Sequence, residues 1–321
     1  MRRRSLLALP ALLTGLAPPR AEATAPSEGG TVLVLNSRDA TIGVVDAAEM
    51  AETRRIPMLR EPHHLAMTPD GREVMVADSG GNEMFYLDPA TAEVRRREAI
   101  GNPYHLGFGP SGRDFVICSL RRAQVDIFRW DGRSPALAHR LRTPPKPSHL
   151  AFSPDGATVY ITLQGSGEIT AISVASGEPL WTAPVGPEPA GIMWHNDRLL
   201  VCNMGSDHVA VMNPATQEVE SRIPVGRGAH TVWLAPGGSV VYVTSRIDSR
   251  ITVLDARSLR PVQAIAVPGG PDCVTFDPQG RIWVTQRWIG RIARVDPETG
   301  SVESIRVGRS PHGILFLPKR A

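Results

Sequence analysis

Apolar residues in this chain fall into short runs separated by turn residues, and the runs recur in groups of four with a period of about 40 to 44 residues. Each group opens at the same kind of place. Pro62 has counterparts in Pro103, Pro147, Pro189, Pro271 and Pro311, with Ala229 in the one remaining position. Behind these markers come HLAM, HLGF, HLAF, GIMW, TVWL, CVTF and GILF. Most of these runs end in a glycine-containing pair (Asp70-Gly71, Ser111-Gly112, Asp155-Gly156, Gly237-Gly238, Gln279-Gly280), the signal for a tight antiparallel hairpin. A second run follows, as in EVMVAD, TVYITL and VVYVTS, and then a third, as in EMFYLD, EITAIS and RITVLD. The fourth is more polar, as in VESIRVG, which suits a strand with one face in water. Helical periodicity is nearly absent.

Four antiparallel strands in repetition predict the blade of a β-propeller. The two ends of the chain complement each other. Residues 31–61 hold the second, third and fourth strands of a repeat without the first, and HGILFLP at 312–318 is a first strand with nothing after it. Pairing them completes a seventh blade and leaves no open sheet edge. The expected fold is all-β: one seven-bladed β-propeller domain over residues 31–318, preceded by a flexible leader at 24–30 and followed by a tail at 319–321.

VVYVTSRIDSRITVLD and VLVLNSRDATIGVVD resemble the YVTN-type (YncE-like) β-propeller repeat, found in many bacterial periplasmic proteins. The resemblance spans essentially the whole chain after the leader and implies the same seven-bladed fold. Its implication for activity is broad, because relatives include binding proteins, lactonases, lyases and cofactor-handling proteins. IWVTQRWIGRIARVDPETG, in the last full repeat, also resembles the streptogramin lyase repeat. In that group the strand runs on into a glutamate that helps hold magnesium; Gln286 stands in that place here.

Residues 1–23 read as a signal peptide. Arg2, Arg3 and Arg4 form a basic start, Leu6 to Ala17 an apolar run too short to span a bilayer, and Ala21-Glu22-Ala23 a small-x-small cleavage pattern. Arg3-Arg4-Ser5-Leu6-Leu7 also fits a twin-arginine signal, so both that route and the Sec route stay open. Cleavage near Ala23 would deliver the protein to the periplasm. Residues 1–23 carry four arginines and one glutamate, so their removal takes the formal charge from +3 to zero and argues against nucleic acid as a partner. No second apolar span follows, so no membrane segment is expected, and a monomer is the simplest assembly. Cys118 and Cys202 share one repeat position in blades separated by a third, too far apart for a disulfide; buried free thiols are expected.

Candidate chemistry concentrates just behind the markers. The first position there holds His63, Tyr104, Ser148, Ala190, His230, Asp272 and His312; the second holds His64, His105, His149, Gly191, Thr231, Cys273 and Gly313. Six of the nine histidines therefore fall in two adjacent rows, which the architecture places at one mouth of the central channel. Side chains alternate along a strand, so the two rows need not face the same space. His64, His105 and His149 repeat in three consecutive blades, a pattern suited to a three-histidine site for a divalent transition metal such as zinc or copper. His63 and His312 are candidates for acid–base catalysis. His230, Tyr104, Asp272, Arg246, Arg287 and Trp288 are candidates for contact with a ligand, and Cys273 for a metal ligand or its support.

A structural reading competes with all of these, since a histidine behind the marker can hydrogen-bond the backbone of the next blade. Loops between second and third strands add Arg121, Arg122, Arg250, Arg291 and His208, either an anion-binding rim or solvated charge. Trp194 and Trp233, in first strands, read as core. No GxSxG, HExxH, Walker A or CxxCH motif is present, which argues against common hydrolases, zincins, nucleotide enzymes and c-type haem attachment. The expectation is a periplasmic propeller that binds a small ligand, a metal or a periplasmic protein partner at the channel mouth, without catalysis. Two alternatives follow from the resemblance: a metal-dependent hydrolase or lyase, lactonase-like or streptogramin-lyase-like, and an accessory protein for cofactor maturation or electron transfer.

Overall fold

A computed structural model describes residues 29–319. The expected signal peptide at 1–23, most of the expected leader and the last two residues lie outside this span. The chain forms seven four-stranded antiparallel sheets, each running inner to outer in chain order except where the ends meet. There, Pro311–Pro318 pairs with Gly30–Asn36 as the inner strand of the first blade, followed by Thr41–Asp46 and Ala51–Pro57. Leu33 sits opposite Leu315 and Val32 opposite Phe316, so the ring closes as the complementary ends predict. Counting that blade as the first, blades two to seven run from Pro62, His105, Pro147, Pro189, Ala229 and Pro271. The one helical element among the described residues is a 3-10 turn at Leu120–Arg122.

Burial explains the strand patterns. Second strands such as Val74–Asp78 are buried along their whole length, because both of their faces meet a neighbouring blade. Outer strands such as Val94–Ala99 are largely exposed. Seven apolar clusters result, each filling the seam between two adjacent blades. The hairpins leaving the inner strands use glycine at positive φ, +68° at Gly71 and +72° at Gly156, a region that side-chain-bearing residues rarely adopt. Trp283 is fully buried in the seam between blades seven and one, and its Nε1 donates to Asp277 Oδ2 at 3.1 Å. Trp283→Ala is expected to cost about 3–5 kcal/mol and to lower the Tm by roughly 10 °C. A thermal melt within about 2 °C of wild type would mean the closing seam lies outside the cooperative core.

The inner strands share an irregularity that matters for the channel. Their pairing shifts between Pro62 and His64, Pro147 and Leu150, Pro189 and Ile192, Ala229 and Val232, and Pro271 and Val274. Second-strand threonines hold the bulge in three blades. Oγ1 of Thr162, Thr244 and Thr285 accepts from the backbone N–H of His149, Thr231 and Cys273 at 3.0, 3.1 and 3.0 Å. The same hydroxyls donate to the next blade, at Ala190 O (2.9 Å), Asp272 O (3.0 Å) and His312 O (3.1 Å). An extra residue at a bulge breaks the strict alternation of side chains, so consecutive positions can turn toward the same space.

Candidate functional site

Both histidine rows turn into the channel. The His63 ring stacks between Tyr104 and His312, at centroid distances of 4.0 and 3.8 Å, and lies 4.8 Å from its chain neighbour His64. His64 meets His105 at 4.5 Å and His149 at 5.2 Å, and His105 meets His149 at 4.6 Å. His149 continues to His230 at 5.5 Å, and His230 to His312 at 5.9 Å. Glycine allows this crowding: a Cβ on Gly191 would lie 2.6 Å from His230 O, and one on Gly313 would lie 2.8 Å from His63 O. The six imidazoles plug the channel.

The nitrogens of His64, His105 and His149 that can bind a metal lie within 4.8 Å of one another. His64 Nε2, His105 Nδ1 and His149 Nε2 are buried and have no hydrogen-bond partner among the described residues. Leaving such groups unpaired is costly. Outside the rows, His195 Nε2 reaches Ala256 O at 2.5 Å and His139 Nε2 reaches Ala175 O at 2.9 Å; His208 Nδ1 reaches Ser206 Oγ at 2.7 Å, while its buried Nε2 has no partner among the described residues. Within the rows, His312 Nδ1 contacts His63 O at 3.0 Å, which is the backbone role a structural reading expects. Sequence reasoning missed one support. Gln164 Nε2 donates to Ser148 Oγ at 2.6 Å, and Ser148 Oγ lies 2.8 Å from His149 Nδ1. The contact fixes the orientation of the His149 ring and leaves its Nε2 buried without a hydrogen-bond partner.

Charge is set by burial. Removal from water pushes His105 down to about 3, with His230 nearby adding to the effect. It pushes His230 down to about 4, aided by Arg246 and opposed by Asp272. Burial likewise holds His63, His64, His149 and His312 well below the usual imidazole range. All six rings are therefore neutral at pH 7, the form that ligates metals. The Tyr104 hydroxyl, pushed up by burial to about 12, and the Cys273 thiol, raised by burial and by Asp272, stay protonated.

Asp272 anchors the other side of the plug. It is fully buried, with Oδ1 lying 2.5 Å from His230 Nδ1 and 2.7 Å from Arg246 Nη2. Its Oδ2 lies 3.3 Å from Arg287 Nη1 and 3.7 Å from His312 Nε2. Burial alone would raise this carboxyl, but Arg246, His230 and His312 hold it well below its ordinary value. Arg246 and Arg287 thus face a carboxylate of their own chain. Outside them lies a mouth of about 620 Å³ lined in part by Arg38, Arg60, Glu61, Arg121 and Arg287, with Trp288 exposed at its edge. Arg38 and Arg60 were not singled out from the sequence. Arg250 and Arg291 direct donors to Val225 O and Ser304 O instead.

The second row faces the opposite way. His64, His105, His149, Thr231 and Cys273 form the floor of a cavity of about 450 Å³ that opens toward the hairpin ends of the inner strands. Its walls include Leu106, Phe108, Leu150, Phe152 and Trp233; His63 and His312 do not line it. Trp233, expected in the core, is 40 % exposed at this cavity, because it stands on the channel side of its strand near the open end. Trp194 does pack in the seam between blades four and five. Gln286, at the place of the lyase glutamate, donates to Pro268 O at 2.7 Å and accepts from Ser304 Oγ at 2.5 Å, so both ends of its amide are engaged. The cysteines are free and buried.

These features define a closed seven-bladed propeller whose channel is plugged by neutral histidines, with a charged mouth on one side and an apolar one on the other. The chain belongs to the YNCE-like beta-propeller family, whose model matches residues 4–320. Among solved structures it is similar to the Pseudomonas aeruginosa periplasmic gluconolactonase PpgL (18 % identity, TM-score 0.74, covering 91 % of this chain and 100 % of that one). It is also similar to a streptogramin B lyase (13 %, 0.69, 91 % and 95 %) and to dihydro-heme d1 dehydrogenase NirN (15 %, 0.69, 92 % and 77 %). At these identities the likeness is one of fold. No curated protein matches the chain. Among the described residues no helix is long and apolar enough to cross a membrane.

Proposed function

We propose that this protein is exported to the periplasm and binds a divalent transition metal ion, zinc or copper, through His64, His105 and His149, without catalysis of its own. One observation carries the reading: three neutral imidazoles in consecutive blades each bring a ring nitrogen within 4.8 Å of the others, and each has a buried nitrogen without a hydrogen-bond partner. Three histidines with an open position suit these ions, and a bound ion would supply a Lewis acid at the cavity floor. Gln164 and Ser148 orient His149 for this role. A hydrolase or lyase needs a proton-transfer group beside the reacting atoms, and the candidates His63 and His312 lie behind the floor rather than in the cavity. That placement favours binding. The basic, apolar and small-x-small succession of residues 1–23 and the likeness to a periplasmic lactonase support export.

Tag-free protein is expected to take up about one equivalent of zinc or copper by elemental analysis and calorimetry. His64→Ala/His105→Ala/His149→Ala should bind none, and Ser148→Ala should weaken binding by about tenfold to a hundredfold. Folded wild type that takes up no stoichiometric metal would sink the reading.

A further inference from the structure

We propose that the ligand received beside the metal ion is an apolar molecule with a single anionic head, and that it reaches the histidines through the apolar mouth, opposite the arginines. The inference rests on the metal reading and adds the class of ligand. The cavity of about 450 Å³ is of a size that takes a small organic molecule. None of its lining residues carries a formal charge; the walls are aliphatic and aromatic, with Leu106, Phe108, Leu150, Phe152, Ile192 and Trp233 prominent. A ligand with polar groups along its body would lose their hydration there and find no partners.

The floor is the reverse. Thr231 Oγ1 is already engaged with Asp272 O at 2.8 Å and Cys273 Sγ lies 3.5 Å from His312 Nδ1, which leaves the imidazole nitrogens as the free polar atoms. Neutral imidazoles do not cancel the charge of a divalent ion, and the nearby carboxylate, Asp272, lies outside the cavity with its charge met by Arg246 and Arg287. The head group must therefore bring negative charge. Trp233, 40 % exposed, marks the mouth with apolar surface, whereas the other face presents Arg38, Arg60, Arg121 and Arg287.

Straight-chain alkyl hydroxamates, from acetohydroxamate to octanohydroxamate, test this by calorimetry on zinc-loaded, tag-free protein whose metal content is measured first. Affinity is expected to rise about fourfold per added methylene until the cavity is filled. Trp233→Arg, which sets a charge at the mouth, is expected to flatten that dependence. Equal affinity for the short and long probes on protein holding its zinc would overturn the ligand class and leave the metal site standing. A chain-length dependence removed by Arg38→Ala/Arg60→Ala and unaffected by Trp233→Arg would overturn the route. Protein that binds no zinc would remove both readings together.

Discussion

Metal-free protein is expected to unfold cooperatively as pH falls from 6.5 toward about 4.5, a loss that begins well above the range in which carboxylates protonate. His105 and His230 are held at about 3 and about 4 by burial, and four further histidines are shifted in the same direction. A folded-state pKa below the unfolded one means the unfolded chain binds more protons throughout the interval between them. Stability is then complete above the unfolded value near 6.5 and is lost as pH falls toward the folded values. By pH 4.5 His105 and His230 alone would remove roughly 5 kcal/mol, and the other four add to this. Total stability for a domain is of the order of 5–15 kcal/mol, so the plug alone can exhaust it. Asp272 works in a lower window: its depressed carboxyl contributes stability that is lost only as pH falls below the normal aspartate range. Denaturant titrations followed by circular dichroism at several pH values measure the slope. His64→Ala/His105→Ala/His149→Ala should show about half of it. A flat profile from pH 7 to 5 would contradict the neutral, water-excluded plug.

Asp272→Ala is expected to cost about 3–5 kcal/mol, because it strands partners that are themselves largely buried. Arg246 and Arg287 would lose the carboxylate that faces both, and His230 and His312 would be left beside uncompensated positive charge. Arg246→Ala should cost less, since Asp272 keeps Arg287 and His230. The double variant should fall short of the sum, the mark of a shared interaction. Melting curves and denaturant midpoints of the three variants provide the cycle. Asp272→Ala within about 1 kcal/mol of wild type would reassign this group to a solvated rim.

Much of this architecture is legible in single residues. The marker prolines, the hairpin glycines and the two-faced apolar second strands identify the blade because each answers a local demand: backbone angle, turn or seam. HGILFLP at one end and the missing inner strand at the other foretell closure for the same reason. The histidine rows were also visible, since a repeat aligns equivalent positions without any structure. Trp233 was misplaced because an apolar residue on an inner strand has two apolar destinations, a seam or the channel, and alternation cannot choose between them at a bulge.

The blade, the number of blades, the way the ring closes and the two rows in which histidine collects can all be read along the chain. Those properties follow from interactions within one repeat or between neighbouring ones, and the period displays them. Three features emerge only in the folded ring: both rows share the channel, Asp272 is held by Arg246 and Arg287, and His64, His105 and His149 look onto apolar walls. These depend on bulged strands from different blades meeting across the ring, and on Gly191 and Gly313 letting backbones approach. Distances across a closed ring are set by the packing of all seven seams, and no stretch of sequence carries that information alone.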